Sequence, residues 1–204
     1  MDNAIVLLPS YGGLIGQHVL SLAKCGRETL SVYGAPIDAA RCFLIEQALA
    51  NTDKDVFVFI DSDISFEKSD LDKLIDDCEH TNGIISGVYV LKNGTNKIVA
   101  TTKPGIQTDR EDGLIPARWV GMGFCAIHRN SLRTIAQGMK RCNLPHPNGL
   151  TELFPFFLPM VYEGTYFGED YAFCIRANNS KVPIFLDSTI LVTHWGLQGY
   201  KLQK

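Results

Sequence analysis

The chain has 204 residues, of which 46% are hydrophobic and 20% are charged, which suits one domain with a substantial core. Its net charge is −3 and its pI is about 5.9, so no global basic field attracts nucleic acid or an anionic membrane. No basic leader follows Met1, and no apolar run reaches the roughly 18 residues of a membrane span. We therefore expect a soluble, cytoplasmic protein without membrane insertion. The six scattered cysteines form no Cys-x-x-Cys pair and are expected to be reduced, buried thiols.

The first apolar run, Ala4–Leu8, has the pattern of a buried strand. The segment Pro9 to Gly13 follows it directly, and we expect this segment to end the strand's hydrogen-bond ladder and to leave backbone amides exposed. The glycines of this segment match neither the dinucleotide fingerprint nor a phosphate-binding Gly-Lys-Ser/Thr loop. A strand that ends in a small polar loop still suits a nucleotide site in an α/β fold.

A helix is predicted over residues 14–25, a short strand over 29–32 and a second helix from Pro36. Arg41 falls off the apolar stripe of the second helix. An arginine in the first turns of a helix beside the sheet could reach a nucleotide phosphate or base. The alternative is an ordinary solvated helix arginine, and periodicity alone does not separate the two.

The run Val56–Ile60 predicts a strand buried on both faces, and Asp61, Ser62 and Asp63 follow it directly. Ligands of open α/β sheets bind outside the carboxyl ends of the strands. Two carboxylates one residue apart suit a divalent cation of the Mg or Mn kind, which is itself a partner for phosphate. A solvated loop at the strand end is the competing interpretation of the same spacing.

An amphipathic helix from Ser69 and a strand over 84–91 follow, which gives β-α-β order around Asp61. Turn signals in residues 92–118 then predict short antiparallel strands or a flexible connection, so we expect a mixed sheet. The next strand pattern contains Gly121 and Gly123. These glycines either let a ligand approach the backbone or mark a bulge.

Residues 142–167 combine four prolines with many aromatic side chains. Little regular structure is expected here, and a connection of this length is often an active-site lid or a substrate-binding loop. Its aromatic rings could stack on sugars or bases. The alternative is that they fill the core beneath an irregular segment.

Glu169 and Asp170 precede a short predicted helix. Carboxylates at a helix N-terminus are stabilised by the helix dipole, so a structural role is credible. The functional alternative is a general base that accepts the proton of an attacking hydroxyl. Strands are predicted over 183–186 and 189–192, and His194 follows them; such a histidine is structural unless a metal lies nearby.

Taken in order, these stretches resemble the GT-A fold glycosyltransferases from about Ala4 to Gly196. The matching pieces are the strand into Pro9-Ser10-Tyr11-Gly12, the Arg41 helix, the strand into Asp61-Ser62-Asp63, Ile85-Ser86-Gly87-Val88-Tyr89, Gly121-Met122-Gly123-Phe124, Gly168-Glu169-Asp170 with its helix, and His194-Trp195-Gly196. The resemblance implies an α/β, Rossmann-like three-layer sandwich with a mixed, mainly parallel sheet. It also implies a single domain over 1–204, with a nucleotide-sugar half of about 1–91 and an acceptor half of about 92–204.

The resemblance further implies a divalent metal, Mn²⁺ with Mg²⁺ as the alternative, that grips the diphosphate of a nucleotide sugar. By position, Asp63 is the direct metal ligand, Asp61 faces the ribose or the metal, and His194 completes the metal shell. The implied nucleotide contacts are Pro9, Ser10, Tyr11, Arg41, Asp61 and Ser62.

The acid pair matches the acceptor side of that family. Asp170 is the first choice and Glu169 the second for the base of an inverting enzyme, and the stereochemistry stays open. The chain departs from the family's pattern in two ways: Cys42 follows Arg41 where the family frequently has asparagine, and the chain is short for a separate acceptor domain.

The predicted function is therefore metal-dependent transfer of a sugar from a UDP- or GDP-sugar to an acceptor hydroxyl. The acceptor is a glycan, a protein, a small molecule or a modified nucleic acid. Two alternatives stay open. A nucleotidyltransferase would need a basic triphosphate loop, and residues 9–16 contain no Lys or Arg. A non-catalytic relic of the fold would bind a sugar nucleotide or glycan without turning it over.

Overall fold

A computed structural model describes residues 3–10, 12, 15–103, 105, 111–146, 149–196 and 199–201, so the predicted nucleotide contact Tyr11 lies outside the described residues. The helices are α1 Gly16–Cys25, α2 Ile37–Asn51, α3 Lys68–Thr81, α4 Arg129–Ala136 and α5 Glu169–Asn179. The strands are β1 Ala4–Ser10, β2 Thr29–Tyr33, β3 Val56–Ile60, β4 Ile64–Ser65, β5 Ile84–Val88, β6 Ala100–Thr102, β7 Leu114–Val120, β8 Phe124–His128, β9 Cys142–His146, β10 Gly149–Leu153, β11 Met160–Tyr162, β12 Thr165–Phe167, β13 Ile184–Leu191, β14 Thr193–Trp195 and β15 Gly199–Tyr200.

Eight strands form the central sheet in the order β2-β1-β3-β8-β5-β13-β7-β6. The pairings place β1, β2, β3, β5, β6 and β13 in one direction and β7 and β8 in the other. The predicted mixed, mainly parallel sheet is confirmed. The turn-rich segment 92–118 contributes the antiparallel pair β6 and β7, as its turn signals indicated.

Helices cover both faces of the sheet because each central strand alternates its side chains between two apolar layers. Phe57 and Phe59 of β3 pack with residues of α2, α4 and α5. Val58 and Ile60 face the opposite way and pack with α3. All five residues of β3 are fully buried, which is why this strand has a continuous apolar run. The predicted three-layer α/β arrangement is confirmed.

The prediction that Pro9 ends the first ladder is wrong. β1 continues through Ser10, with Pro9 opposite Val32 of β2, and Pro9 and Ser10 are both buried. The carbonyl of Ser10 accepts a hydrogen bond from the Gly34 amide, on the β2 side of the strand. Neighbouring residues of a strand point their backbone groups to opposite sides, so Pro9 faces the β3 side. Pairing with β3 stops at Leu7, and the missing amide hydrogen of Pro9 therefore breaks no ladder.

The expectation of little regular structure in residues 142–167 is also wrong. Two antiparallel hairpins, β9 with β10 and β11 with β12, occupy most of this segment. The second hairpin closes through Glu163 and Gly164, which both have positive φ angles of 49° and 78°, as a tight two-residue turn requires. Between the hairpins, Phe156 and Phe157 are buried in the core, which supports the core interpretation for these two rings.

All six cysteines are free thiols. Five of them are buried, as the sequence predicted, and Cys142 is half-buried. In the part of the chain that the structure describes, no helix combines the length and the apolar character needed to cross a membrane.

Candidate functional site

Predicted site residues from both halves of the chain meet at the carboxyl edge of β3. Asp61 follows the last residue of β3, and its amide donates to the carbonyl of Gly123, 2.9 Å away, in the β7–β8 connection. The α5 helix presents Glu169 and Asp170 in its first turn, and α2 contributes Arg41. The sequence therefore identified residues that the fold brings together from widely separated positions.

Arg41 is the centre of this group, which we call the arginine cluster: Arg41, Asp61, Glu169 and Asp170. Its Nη2 donates to Asp61 Oδ1 at 2.8 Å. Its Nη1 donates to Asp170 Oδ1 at 3.1 Å and to Glu169 Oε1 at 3.4 Å. The guanidinium thus joins carboxylates that lie 20, 128 and 129 residues away in sequence.

The solvated interpretation of Arg41 is wrong, because only 1% of the residue is exposed. Burial alone would lower the pKa of Arg41, and the carboxylates of Asp61, Asp170 and Glu169 outweigh burial and raise it. Arg41 is therefore held as a cation, as expected for a buried guanidinium with carboxylates on both η nitrogens. Its Nε is buried and has no hydrogen-bond partner among the described residues.

Asp170 has the chemistry of a proton acceptor near neutral pH. Burial raises the pKa of Asp170 to about 6, with Glu169 and Asp61 adding to the rise and Arg41 opposing it. One guanidinium cannot neutralise three carboxylates, so the enclosed Asp170 carboxyl is harder to ionise than a free one. Asp170 Oδ2 also accepts a hydrogen bond of 3.2 Å from the Met122 amide, which fixes the orientation of the carboxyl group.

Asp63 belongs to a second group, the ion pair of Asp63 with Lys92, which we call the lysine pair; His194 lies beside it. Lys92 Nζ forms an ion pair with Asp63 Oδ2. The other oxygen, Oδ1, lies 3.6 Å from His194 Nε2. Burial would raise the pKa of Asp63, but His194 and Lys92 outweigh burial and lower it to about 2. The Asp63 carbonyl accepts a hydrogen bond from the Trp195 amide at 2.8 Å. This bond joins the Asp-Ser-Asp turn, residues 61–63, to strand β14, which carries His194.

The geometry of Asp63 and His194 fits a divalent cation. His194 Nδ1 lies 2.9 Å from the Val90 carbonyl and must donate to it. Nε2 therefore donates toward Asp63 when the ring is protonated, and it offers its lone pair to a cation when the ring is neutral. Asp63 Oδ1 is buried and has no hydrogen-bond partner within the described ranges. Two ligand atoms about 2.1 Å from one ion stand roughly 3.0 to 3.4 Å apart. A small side-chain rotation closes the observed 3.6 Å to that spacing.

The three predicted metal ligands do not form one preassembled group. Within the described residues, no set of three or more His, Cys, Asp or Glu side chains is arranged to hold a metal ion. Asp61 turns one oxygen to Arg41, whereas Asp63 and His194 face each other. Mg²⁺ and similar ions are commonly held by one or two carboxylates together with substrate phosphates, and a pair of protein ligands is compatible with that mode.

Tyr89 joins the two groups, and sequence reasoning assigned it no role. Its hydroxyl oxygen accepts a hydrogen bond of 2.9 Å from the Gly123 amide, and its ring meets the His194 ring edge-on at 5.4 Å. A Cβ on Gly121 would lie 2.0 Å from this hydroxyl oxygen. Gly121 thus makes room for the Tyr89 side chain, and neither predicted reason for the glycine, a ligand or a bulge, is needed to explain it.

His18 and Lys92 are further residues that the sequence did not single out. His18 is fully buried in α1, and its Nδ1 lies 2.8 Å from the Ile64 carbonyl at the end of the Asp-Ser-Asp turn. The carbonyl of Ser62 accepts a hydrogen bond from the Ile15 amide at 3.3 Å. The start of α1 therefore supports this turn through these two contacts. A histidine in an amphipathic helix and a lysine in a turn carry no local signal for such roles.

The first strand reaches the same edge of the sheet. β1 and β3 are parallel, with Leu7 opposite Phe59, so Ser10 stands level with the turn that contains Ser62. The Ser10 hydroxyl is buried and has no hydrogen-bond partner within the described part of the chain. Contacts of Pro9, Ser10 and Ser62 with a nucleotide stay predictions.

Four carboxylates, those of Asp61, Asp63, Glu169 and Asp170, face two cationic side chains, those of Arg41 and Lys92. Four negative and two positive charges leave −2 when all are ionised. Each carboxylate side chain keeps 23% to 30% of its surface exposed, so a ligand can reach this edge of the sheet. The arrangement can bind a cation, and it can accept a proton at Asp170.

No protein family model and no curated protein matches the sequence. Among solved structures, "Crystal Structure of A197 from STIV" matches with a TM-score of 0.65 and 19% identity, covering 95% of this chain and 86% of that chain. CMP:2-keto-3-deoxy-manno-octonic acid synthetase complexed with CTP has a TM-score of 0.45 and 10% identity, with coverages of 91% and 89%. A glycosyltransferase involved in glycosylation of the major capsid of PBCV-1 has a TM-score of 0.36 and 13% identity, with coverages of 64% and 62%. The likeness to A197 shows a shared fold alone.

Proposed function

We propose that the chain is a metal-dependent glycosyltransferase that moves a sugar from a nucleotide-diphosphate sugar to an acceptor hydroxyl. The arginine cluster carries this proposal. Through one buried guanidinium, Asp61 of the predicted donor half is joined to Glu169 and Asp170 of the predicted acceptor half. A donor and an acceptor that bind to these carboxylates would lie side by side, as group transfer requires.

On the donor side, Asp63 and His194 are the residues that would hold Mn²⁺ or Mg²⁺. The bound metal would supply a positive charge to the diphosphate and stabilise the departing nucleoside diphosphate. The ion pair between the buried Arg41 and the partly exposed Asp61 holds the first carboxylate of the Asp-Ser-Asp turn in place. We therefore assign Arg41 a positioning role; the predicted contact of Arg41 with the nucleotide stays a prediction.

On the acceptor side, Asp170 would act as the base if the enzyme inverts. The acceptor oxygen attacks the anomeric carbon, the bond from that carbon to the diphosphate oxygen breaks, and the hydroxyl proton passes to Asp170. A pKa of about 6, raised mainly by burial, leaves Asp170 ionised at neutral pH and basic enough to share the proton in the transition state. Glu169, on the same turn of α5, is the second candidate for this role.

One observation favours a second candidate function, a binding module without turnover. Each predicted site carboxylate already has a cationic side chain of the protein as its partner. Such a network would also persist in a protein that recognises a sugar nucleotide or a glycan and does not transform it.

The proposed function is tested by combining a binding screen with turnover of the variants. A thermal-shift screen against UDP, GDP, CMP and dTDP compounds, each with and without Mn²⁺, selects the nucleotide, because a ligand of the native state raises the melting temperature. Sugar transfer or donor hydrolysis is then measured for the parent chain and for Asp170→Asn and Asp63→Asn. Asp76→Asn, an exposed aspartate of α3, is the matched control.

We expect Asp170→Asn to lose about 10²- to 10⁴-fold in turnover, the usual contribution of a general base, and Asp76→Asn to keep full turnover. Asp63→Asn is expected to lose metal-dependent nucleotide binding. Undiminished turnover in both Asp63→Asn and Asp170→Asn refutes the proposal. Nucleotide binding without transfer or hydrolysis identifies the binding module. Release of pyrophosphate from a nucleoside triphosphate identifies a nucleotidyltransferase.

A further inference from the structure

Lys92 lies where a bound cation would be expected, beside the carboxylate of Asp63. It stands on a tight connection after β5, in which the Leu91 amide donates to the Lys97 carbonyl at 3.0 Å and Val90 pairs with Ile98. Gly94 and Asn96 turn this connection with positive φ angles. The lysine is therefore carried by a defined turn, and its ammonium reaches the edge of the site.

The two oxygens of the Asp63 carboxylate have different partners. Oδ2 forms an ion pair with Lys92 Nζ, and Oδ1 faces His194 Nε2. A divalent cation that binds Asp63 and His194 would stand close to the Lys92 ammonium. The two cations repel each other strongly at such short range in a partly buried site. The ion pair of Lys92 with Asp63 and the binding of a metal are thus in competition.

A diphosphate removes this competition. Its oxygens carry negative charge and would give the Lys92 ammonium a new partner when the metal binds the Asp63 carboxylate. Lysine is a common phosphate ligand, with a compact charge on a flexible stem. The Lys92 side chain is 35% exposed, so it can turn from the carboxylate to a phosphate without disturbing the core.

We propose that Lys92 is a diphosphate-binding residue that couples nucleotide binding to metal binding. Without nucleotide, Lys92 holds Asp63 and keeps the metal affinity low. With nucleotide, Lys92 moves to the diphosphate and the carboxylate becomes available to the metal. Since coupling between two ligands is reciprocal, each raises the affinity for the other by the same factor. This inference rests on the proposed binding of a nucleotide diphosphate.

The test measures binding and needs no turnover. Mn²⁺ affinity is determined by electron paramagnetic resonance of free Mn²⁺, with and without the nucleoside diphosphate that gives the largest thermal shift among UDP, GDP and dTDP. The parent chain is compared with Lys92→Met and Lys92→Arg. Lys97→Met is the matched control, since Lys97 is an exposed lysine of the same turn.

We expect Lys92→Met to bind Mn²⁺ alone at least fivefold more tightly than the parent chain, because a competing cation is removed. We expect the same variant to bind the diphosphate about tenfold more weakly at saturating Mn²⁺, so that the coupling factor falls. Lys92→Arg keeps a cation and is expected to retain the weak binding of Mn²⁺ alone. Lys97→Met is expected to behave like the parent chain.

The outcomes separate this inference from the proposed function. If the parent chain binds both Mn²⁺ and a diphosphate, and Lys92→Met leaves both affinities unchanged or weakens Mn²⁺ binding, the role of Lys92 is refuted and the proposed function stands. If the parent chain binds neither Mn²⁺ nor any of the nucleotides, the proposed function fails and the role of Lys92 fails with it.

Discussion

The arginine cluster and the lysine pair both place a cation beside carboxylates near the end of β3, but their cations differ in burial and in the number of carboxylates that they contact. Arg41 is almost fully buried and holds three carboxylates from two distant parts of the chain. Lys92 is a third exposed and holds one carboxylate from a surface turn. A planar guanidinium can bond several carboxylates at once, whereas an ammonium on a flexible stem exchanges partners easily. The comparison supports a fixed structural role for Arg41 and the proposed exchange of partners for Lys92.

The largest effect is expected from removing the buried cation. Arg41→Met would leave three carboxylates facing one another without a counter-ion, and breaking a buried ion pair in this way costs about 3 to 5 kcal/mol. The free energy of unfolding from urea titration at pH 7 measures the effect.

Arg141 is the matched control for Arg41. It also pairs with two carboxylates, Glu46 and Glu152, but 33% of its side chain is exposed. Arg141→Met is therefore expected to cost about 1 kcal/mol or less. Equal losses in the two variants would show that burial does not distinguish the arginine cluster from a surface network.

A smaller effect is expected at the junction of the two groups. In Gly121→Ala, the new Cβ would lie 2.0 Å from the Tyr89 hydroxyl oxygen and 2.8 Å from Val99 Cγ1. The tyrosine must move, and such overpacking of a core costs about 1 to 3 kcal/mol. Chemical denaturation measures this loss.

Gly138→Ala is the control for Gly121→Ala, because the nearest atom to its Cβ would be the Ile135 carbonyl oxygen at 3.8 Å. Adding Tyr89→Phe to Gly121→Ala removes the closest clashing atom and should recover part of the lost stability. The steric account would be contradicted if the free energy of unfolding of the double variant fell by more than the summed losses of Gly121→Ala and Tyr89→Phe.

The smallest effect is the pH dependence of the lysine pair. The pKa of Asp63 is about 2 in the folded chain, below its ordinary value of 3.8, because His194 and Lys92 outweigh the effect of burial. The folded state therefore gains stability from the ionised carboxylate above pH 3.8, and this gain is lost as the pH falls through 2. The contribution is roughly 1 to 2 kcal/mol after allowance for solvent screening.

Urea titrations at pH 5 and pH 2 test this sign with Asp63→Asn. The parent chain should lose roughly 1 to 2 kcal/mol more than Asp63→Asn between the two pH values, because the amide cannot be protonated in this range. Equal losses would mean that Lys92 and His194 do not stabilise the Asp63 carboxylate.

Much of the fold could be predicted from local sequence. The apolar run Val56–Ile60 is fully buried in the centre of the sheet, and the run Ala4–Leu8 is its parallel neighbour. Such runs are informative because a strand covered on both faces has no solvent-facing position to interrupt it. The carboxylates that follow β3 lie at the edge of the sheet, where the sequence placed them.

The failures of the sequence predictions arise where a residue depends on neighbours that are distant along the chain. Pro9 stays within β1 because the adjacent strand β3 has already ended, and a local rule for proline cannot include that fact. The hairpins of residues 142–167 pair with themselves outside the central sheet. A two-stranded ribbon leaves one side of each strand unpaired, so Pro145 breaks no second ladder.

By itself, the sequence determined the layers of this protein and the positions of its acidic residues, because periodicity and strand-end carboxylates are local properties. The tertiary structure alone decided the partners of those residues. Periodicity left Arg41 open between solvent and site, and the fold buries it against carboxylates up to 129 residues away. The fold likewise decides the contact of Lys92 with Asp63 and the contacts of Tyr89 with Gly123 and His194. Electrostatic and steric contacts depend on distance in space, and the fold sets that distance between residues far apart in sequence.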